Sequence, residues 1–369
     1  MELSVRIKFS LSRKLSGYEL PAISKWQNVV SNFKKNITPK MKKTLTLLII
    51  TILFCSFNIE NHKKSILKNR ESIVVKIDTI LTVEIGGVKQ FVEIKTDDST
   101  RPVLLFLSGG PGGSMMNSAS KYTNKLKDKF TIVQWDQRGA GKTLELNPSP
   151  IQPSVVQMEN DTYEVIQFIS KKLKKKKIYL AGCSWGNILG FYIVEKHPEV
   201  LHSYLAINPV VSQMASEKLL LIRLKEVYEN NEIALKELST VKIPFERAED
   251  LFFIRKWLFD MDGKDYAIKD NFKDFFLEWT KTWFPVWQEV MNINLPKTLI
   301  EVKCPVYFFV GKDDIQTSTK ITKEYFEKMK TPKKDLYLFE YSKHSIQESE
   351  PEKFQNIIIE NILSKNTID

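Results

Sequence analysis

Three observations predict an α/β fold, a mostly parallel and doubly wound sheet with an inserted helical cap. Solid apolar runs recur at Val103–Leu107, Thr131–Trp135, Ile178–Ala181, Tyr204–Ile207, Val306–Val310 and Leu336–Phe339, separated by helical patterns. Runs that are continuous rather than alternating suit strands covered on both faces by helices. Between Asn208-Pro209 and Pro296 the strand signal stops and helical periodicity takes over, rich in aromatics. Thirdly, a Gly-x-Ser-x-Gly element, Gly182 to Gly186, joins an apolar run to a helical pattern that ends near His197-Pro198.

The elements follow in order. After Arg70, Ile73 to Ile85 and Val88 to Ile94 read as an antiparallel pair turning at Gly86-Gly87. The parallel strands come next, interrupted by the cap and resumed at Val306. The expected organisation is therefore a basic extension over 1–40, a signal or anchor over 41–60, core over 61–211, cap over 212–297 and core again over 298–369.

The N-terminal leader stands apart. Of the charges behind the net +11, fourteen Lys or Arg and three Asp or Glu fall within residues 1–70, so the remainder is balanced. A phosphate-binding groove in the folded body loses its electrostatic support, and no nucleic-acid partner is expected. Met41-Lys42-Lys43 precede an apolar run, Leu45 to Phe57, broken only by Thr46, Thr51 and Ser56. A positive segment before a short apolar one is the pattern of an export signal, and it is shorter than the roughly 20 residues of a comfortable span. Translation from Met41 and export are expected. With the extension present, residues 44–57 become a membrane tether with the basic side in the cytoplasm. A leader without function would leave the chain cytoplasmic.

The three Cys show no CxxC or paired spacing, and the four His show no ligand spacing, so neither a disulfide nor a metal or other cofactor is expected. Gly141-Lys142-Thr143 imitates the end of a phosphate loop, but Asp136 stands where that loop needs Gly. The lysine run 171–177 reads as a solvated helix end that complements the dipole.

In a sharp strand-to-helix turn, Ser184 is presented at the sheet's edge and the amide of Trp185 points where an oxyanion forms. A nucleophilic Ser needs a base, and the base an orienting acid. Downstream, Val306–Val310 ends at Gly311-Lys312-Asp313-Asp314, and Leu336–Phe339 is followed by Tyr341-Ser342-Lys343-His344. The order Ser184, Asp314, His344 fits the fold. Asp314 is favoured as the acid, with Asp313 a turn residue or an N-cap. His197 and His202 flank a helix end and read as structural. The loop Ser108-Gly109-Gly110-Pro111-Gly112-Gly113 exposes backbone amides, and Gly110 is expected to be the second oxyanion donor.

Gly109-Gly110-Pro111-Gly112-Gly113, the stretch from Trp135-Asp136-Gln137-Arg138-Gly139 to Thr143, and Gly182-Cys183-Ser184-Trp185-Gly186 together resemble the α/β-hydrolase superfamily in its prolyl aminopeptidase (proline iminopeptidase)-like branch, over about residues 72–369. The resemblance implies a nucleophile at Ser184, an acid at Asp314 and a base at His344. Asp136 and Arg138 are expected to form a structural ion pair beneath the site. Ser108 stands where the family usually has His, and its Trp-Glu lid pair has only an out-of-register Trp287-Gln288-Glu289 here.

The expected function is that of a serine hydrolase with an acyl-enzyme intermediate, an aminopeptidase releasing N-terminal proline or small apolar residues from small peptides. The alternative is a carboxylesterase or amidase for small acyl substrates, and the competing class is a silent binding module on the same fold. In the cap, Trp257, Trp279, Trp283, Trp287, Phe252, Phe253, Phe259, Phe272, Phe275, Phe276 and Phe284 are expected mostly in packing, with the rest walling an apolar pocket. Glu246, Glu249, Asp250, Glu278 and Glu289 are candidates for binding an amine.

Overall fold

Eight strands, β1 (Ile77–Ile85), β2 (Val88–Thr96), β3 (Val103–Leu107), β4 (Thr131–Asp136), β5 (Ile178–Cys183), β6 (Leu201–Ile207), β7 (Val306–Gly311) and β8 (Lys334–Phe339), form one sheet in the computed structural model. Their order is β1-β2-β4-β3-β5-β6-β7-β8. β2 pairs antiparallel with β1 and β4, and every other pairing is parallel. The structure describes residues 38–40, 44, 55–56, 74–148, 152–264 and 270–364. The chain divides into two units, Met1–Ser72 and Ile73–Asp369. The basic extension and nearly all of the apolar run expected as signal or tether lie outside the described residues. Among the described residues no helix is long and apolar enough to cross a membrane.

Side-chain alternation sorts each central strand between two cores. In β3, Val103, Leu105 and Leu107 join one apolar cluster, while Leu104 and Phe106 join the other. The first cluster takes in α1 (Val155–Leu173) and α2 (Gly186–Lys196), and the second takes in Phe354 of a C-terminal helix. Helix α1 starts where Ser154 accepts the Gln157 amide at 3.2 Å, and it buries Met158, Thr162, Val165, Ile166 and Ile169 along one stripe. It stops at Lys174, whose φ of 53° is left-handed. The lysines of this last turn complement the carbonyl end of the dipole.

Between β6 and β7 the chain forms α3 (Gln213–Val227), α4 (Glu232–Ser239), α5 (Ala248–Met261) and α6 (Asp270–Val290). These helices share a core of their own, including Leu220, Leu224, Leu238, Ile254, Trp257 and Trp287. A helix cannot bury its apolar stripe alone, so the segment packs as a bundle.

A pocket of about 280 Å³ on the α1–α2 side is lined by Glu159, Glu195 and Glu289. Burial, then the charges of Glu195 and Glu289, push the Glu159 carboxyl up to about 7, against a smaller opposing effect of Lys196. A folded-state carboxyl that holds its proton more tightly than the unfolded chain loses stability as pH rises, here from about 4.5 to about 7. Glu159→Gln removes that slope. Its stability relative to wild type is expected to grow by about 1 kcal/mol between pH 5 and pH 8, after allowance for solvent screening. Urea unfolding at the two pH values measures this, and parallel pH dependence of the two proteins would refute it.

Candidate active site

Every residue of the site lies where a parallel strand ends. β5 runs into Ser184, which adopts a φ of 50° although it is not glycine. Such a conformation costs on the order of 1–3 kcal/mol and persists only where neighbours impose it. Here the Ser184 amide donates to the Ile207 carbonyl at 3.0 Å, and Asn187 Nδ2 donates to the carbonyls of Ser184 (3.1 Å) and Ile207 (2.8 Å). Gly186 must lack a side chain, because a Cβ there would collide with the Leu107 carbonyl on β3.

The loop after β8 brings His344 to this bend. Its Nε2 lies 2.9 Å from Ser184 Oγ and its Nδ1 lies 2.8 Å from Asp314 Oδ2. Asp314, 3% exposed, follows β7 and also accepts from the Thr317 hydroxyl (2.8 Å) and from the amides of Gln316 (2.9 Å) and Thr317 (3.2 Å). Burial raises its pKa, but the charge and hydrogen bond of His344 and the bonds from Thr317 outweigh burial and hold it below the usual 3.8. An ionised carboxylate only accepts, so Nδ1 carries the proton and Nε2 is left to accept the Ser184 hydroxyl. Asp313 is exposed and points to no such network; its amide donates to the Ser342 carbonyl. It caps no helix, since Ser318 accepts the Ile321 amide at the start of the helix Thr319–Lys328.

Asn208 stands just past the end of β6, where no sequence motif marks it. Asn208 is buried with a φ of 42°; its Oδ1 accepts the Gly311 amide at 2.8 Å and its Nδ2 donates to the His344 carbonyl at 2.5 Å. It therefore braces the loop carrying the acid against the loop carrying the histidine. The only signal in the sequence was an Asn in a turn, a residue type that tolerates the left-handed region.

After β3, residues 109–115 form one wall of the cavity beside Ser184. Gly110 has a φ of 125°, and a Cβ there would lie 2.6 Å from the Gly113 nitrogen and 2.8 Å from that of Gly112. Among the described residues, nothing accepts the amides of Gly110 or Trp185. The loop is held from above by Trp279 of α6, whose Nε1 donates to the Pro111 carbonyl at 3.1 Å. Ser108 is buried, with its hydroxyl lacking a partner among the described residues.

One expectation needs correction. Asp136 and Arg138 do not pair. Arg138 grips Asp161 of α1 (Nε to Oδ2, 3.0 Å), which also accepts from Gln90 Nε2 at 2.9 Å. Asp136 instead accepts the Ser114 hydroxyl and the Lys142 amide, so it ties the glycine loop to the turn after β4. Burial raises its pKa, against these two bonds. The cap aromatics are mostly in packing, as expected: of the eleven, all but Phe275 join the apolar clusters, and six, Phe259, Phe272, Phe275, Phe276, Trp279 and Trp287, line the cavity.

The candidate amine-binding carboxylates all face elsewhere. Glu246 pairs with Lys242, Asp250 with Arg247 and Glu278 with Lys281, while Glu289 accepts the Val155 amide. None of these, nor Glu249, lines the cavity beside Ser184. His197 stacks on Tyr163 at 3.6 Å and His202 on Tyr179 at 5.1 Å between ring centroids, as structural side chains do.

Residues 102–249 match the sequence family described as alpha/beta hydrolase fold. The chain is 28% identical over 300 residues to the probable aminopeptidase YbaC of Bacillus subtilis, covering 75% of this chain and 93% of that protein. It is 24% identical over 265 residues to a proline iminopeptidase of Clostridium botulinum, covering 69% and 87%. The crystal structure of a Mycobacterium smegmatis proline iminopeptidase superposes with a TM-score of 0.55 at 18% identity, over 79% of this chain and 99% of that one, a likeness of fold. With its sheet, its strand order and these likenesses, the chain has the α/β-hydrolase fold and is similar to the prolyl aminopeptidase-like proteins.

Proposed function

We propose that the protein is a serine hydrolase that works through an acyl-enzyme. The reading rests on one observation, the unbroken line from Ser184 Oγ through the His344 ring to Asp314, at 2.9 and 2.8 Å. His344 Nε2 takes the Ser184 proton as Oγ attacks the substrate carbonyl, and the amides of Trp185 and Gly110 hold the oxyanion. The tetrahedral adduct collapses, the bond to the leaving amine or alcohol breaks, and that group takes the proton from His344. Water then repeats the sequence against the acyl-enzyme and releases the acid. Asp314 stabilises the imidazolium that forms in each half-reaction.

A fluorophosphonate probe tests the reading: labelling of Ser184 in folded protein is expected, and a folded protein that does not label favours a silent binding module. Gly110→Ala adds a Cβ at a left-handed φ and displaces one oxyanion donor. It is expected to lower kcat by about 10²–10³ with KM little changed, whereas unimpaired turnover would take Gly110 out of the oxyanion hole.

The relatives' names, an aminopeptidase and proline iminopeptidases, support a small peptide with N-terminal proline as substrate. Hydrolysis of small esters or amides is the second reading. It is favoured by the absence of any carboxylate among the described residues that line the cavity. Comparing kcat/KM for a prolyl-arylamide and for short acyl esters discriminates between them.

A further inference from the structure

The cavity beside Ser184 has a volume of about 620 Å³, the size of pockets that take drug-sized ligands. Its far wall is apolar, with Leu251, Phe272, Phe276 and Trp287. Besides His344 and the buried Cys183 thiol, the ionisable side chains that line it among the described residues are both cations, Arg255 and Lys264. An ammonium group placed there would lose its water and meet no counter-charge among the described residues that line it.

A carboxylate does lie behind the wall. Glu217 of α3 is completely buried and does not line the cavity. Arg255 of α5, 5% exposed, does line it, and its two terminal nitrogens both donate to Glu217, Nη1 to Oε2 at 3.0 Å and Nη2 to Oε1. Gln213 Nε2 donates to the same carboxylate, and the guanidinium carbon sits 5.4 Å from the Trp287 ring. Held between an indole face and a fork of carboxylate oxygens, the guanidinium is fixed in place.

We propose that Arg255 is a specificity-determining residue: by neutralising Glu217 and standing on the cavity side of it, Arg255 directs the site to bulky apolar acyl groups without a free α-amine. The proposal rests on the serine-hydrolase reading in its second form, hydrolysis of small esters or amides, and names its substrate class. Arg255 touches no reacting atom; it decides which charge the cavity offers.

The test uses the full-length protein and two arylamides that differ only in the ammonium group, phenylalanyl and 3-phenylpropionyl. Wild type is expected to favour the 3-phenylpropionyl substrate by at least about tenfold in kcat/KM. Where turnover is slow, the same ratio is read from the protection each compound gives Ser184 against a fluorophosphonate. Arg255→Met keeps an apolar stem and uncovers Glu217, so the ratio should move by about tenfold or more toward the ammonium substrate. Should that variant fail to fold, Glu217→Gln leaves the guanidinium uncompensated and should move the ratio the other way. A wild-type preference for the ammonium substrate, or a ratio unmoved in a folded variant, overturns the proposal. Ser184 labelling separates the two readings: absence of label sinks the serine hydrolase, while label with the wrong ratio sinks only the role of Arg255.

Discussion

Ser184→Ala is expected to reduce kcat by on the order of 10⁶ and to abolish fluorophosphonate labelling, leaving the fold intact. The size follows from the arrangement. Oγ is the atom that would bond to the substrate carbonyl, and it is the one hydroxyl within 2.9 Å of His344 Nε2 among the bonds that ring makes. Without it, only the oxyanion donors and the cavity remain, and what they supply to attack by water is small by comparison. Stability should scarcely change, because the Ser184 backbone is held by its bonds to Ile207 and Asn187, which the substitution leaves alone. Single-turnover kinetics with circular dichroism on the same sample decides the matter. Turnover within tenfold of wild type would mean that some other nucleophile does the chemistry.

Asp314→Asn is expected to lower kcat by about 10⁴, while Asp313→Asn leaves it nearly unchanged. An amide at position 314 offers a donor to Nδ1, which favours the tautomer with its proton on Nε2, where it cannot take the Ser184 proton. Asp313 is exposed and takes no part in the relay. The Asp314 carboxyl also carries a pH signature. Its pKa is held below the usual 3.8, so the stability it contributes is in place above that value and is lost as pH falls through the lower, folded-state value. Acid unfolding of Asp314→Asn should therefore be shallower than that of wild type in this range. An Asp313→Asn variant that loses activity as Asp314→Asn is expected to do would reverse the assignment.

The sequence carried the site where chemistry and local backbone coincide. A serine between glycines after an apolar run can only be a tight bend if α2 is to pass over β3, and a Cβ at Gly186 would strike Leu107. The strands were legible for the same reason, since β3 to β7 are buried on both faces and read as solid apolar runs. Arg138 shows the opposite case. Asp136 lies only two residues before it in sequence, yet its partner is Asp161, which α1 brings across from beyond the turn. Ion pairs depend on which helix covers which strand, and short-range patterns hold no record of that.

Asn208 and Arg255 were illegible on the same ground. An Asn after a strand is an ordinary turn residue until β7 and β8 place Gly311 and His344 on either side of it. An Arg on a cap helix is an ordinary surface residue until α3 sets Glu217 against it in the interior. By itself, the sequence determined the strand-rich core, the helical insertion and the identity of the groups able to do chemistry, because periodicity and turn chemistry act over a few neighbouring residues. The tertiary structure alone decided which acid meets His344, what braces their loops and which charge faces the cavity. Those outcomes depend on close approach between residues far apart in the chain, where distance and burial set the strength of every polar contact.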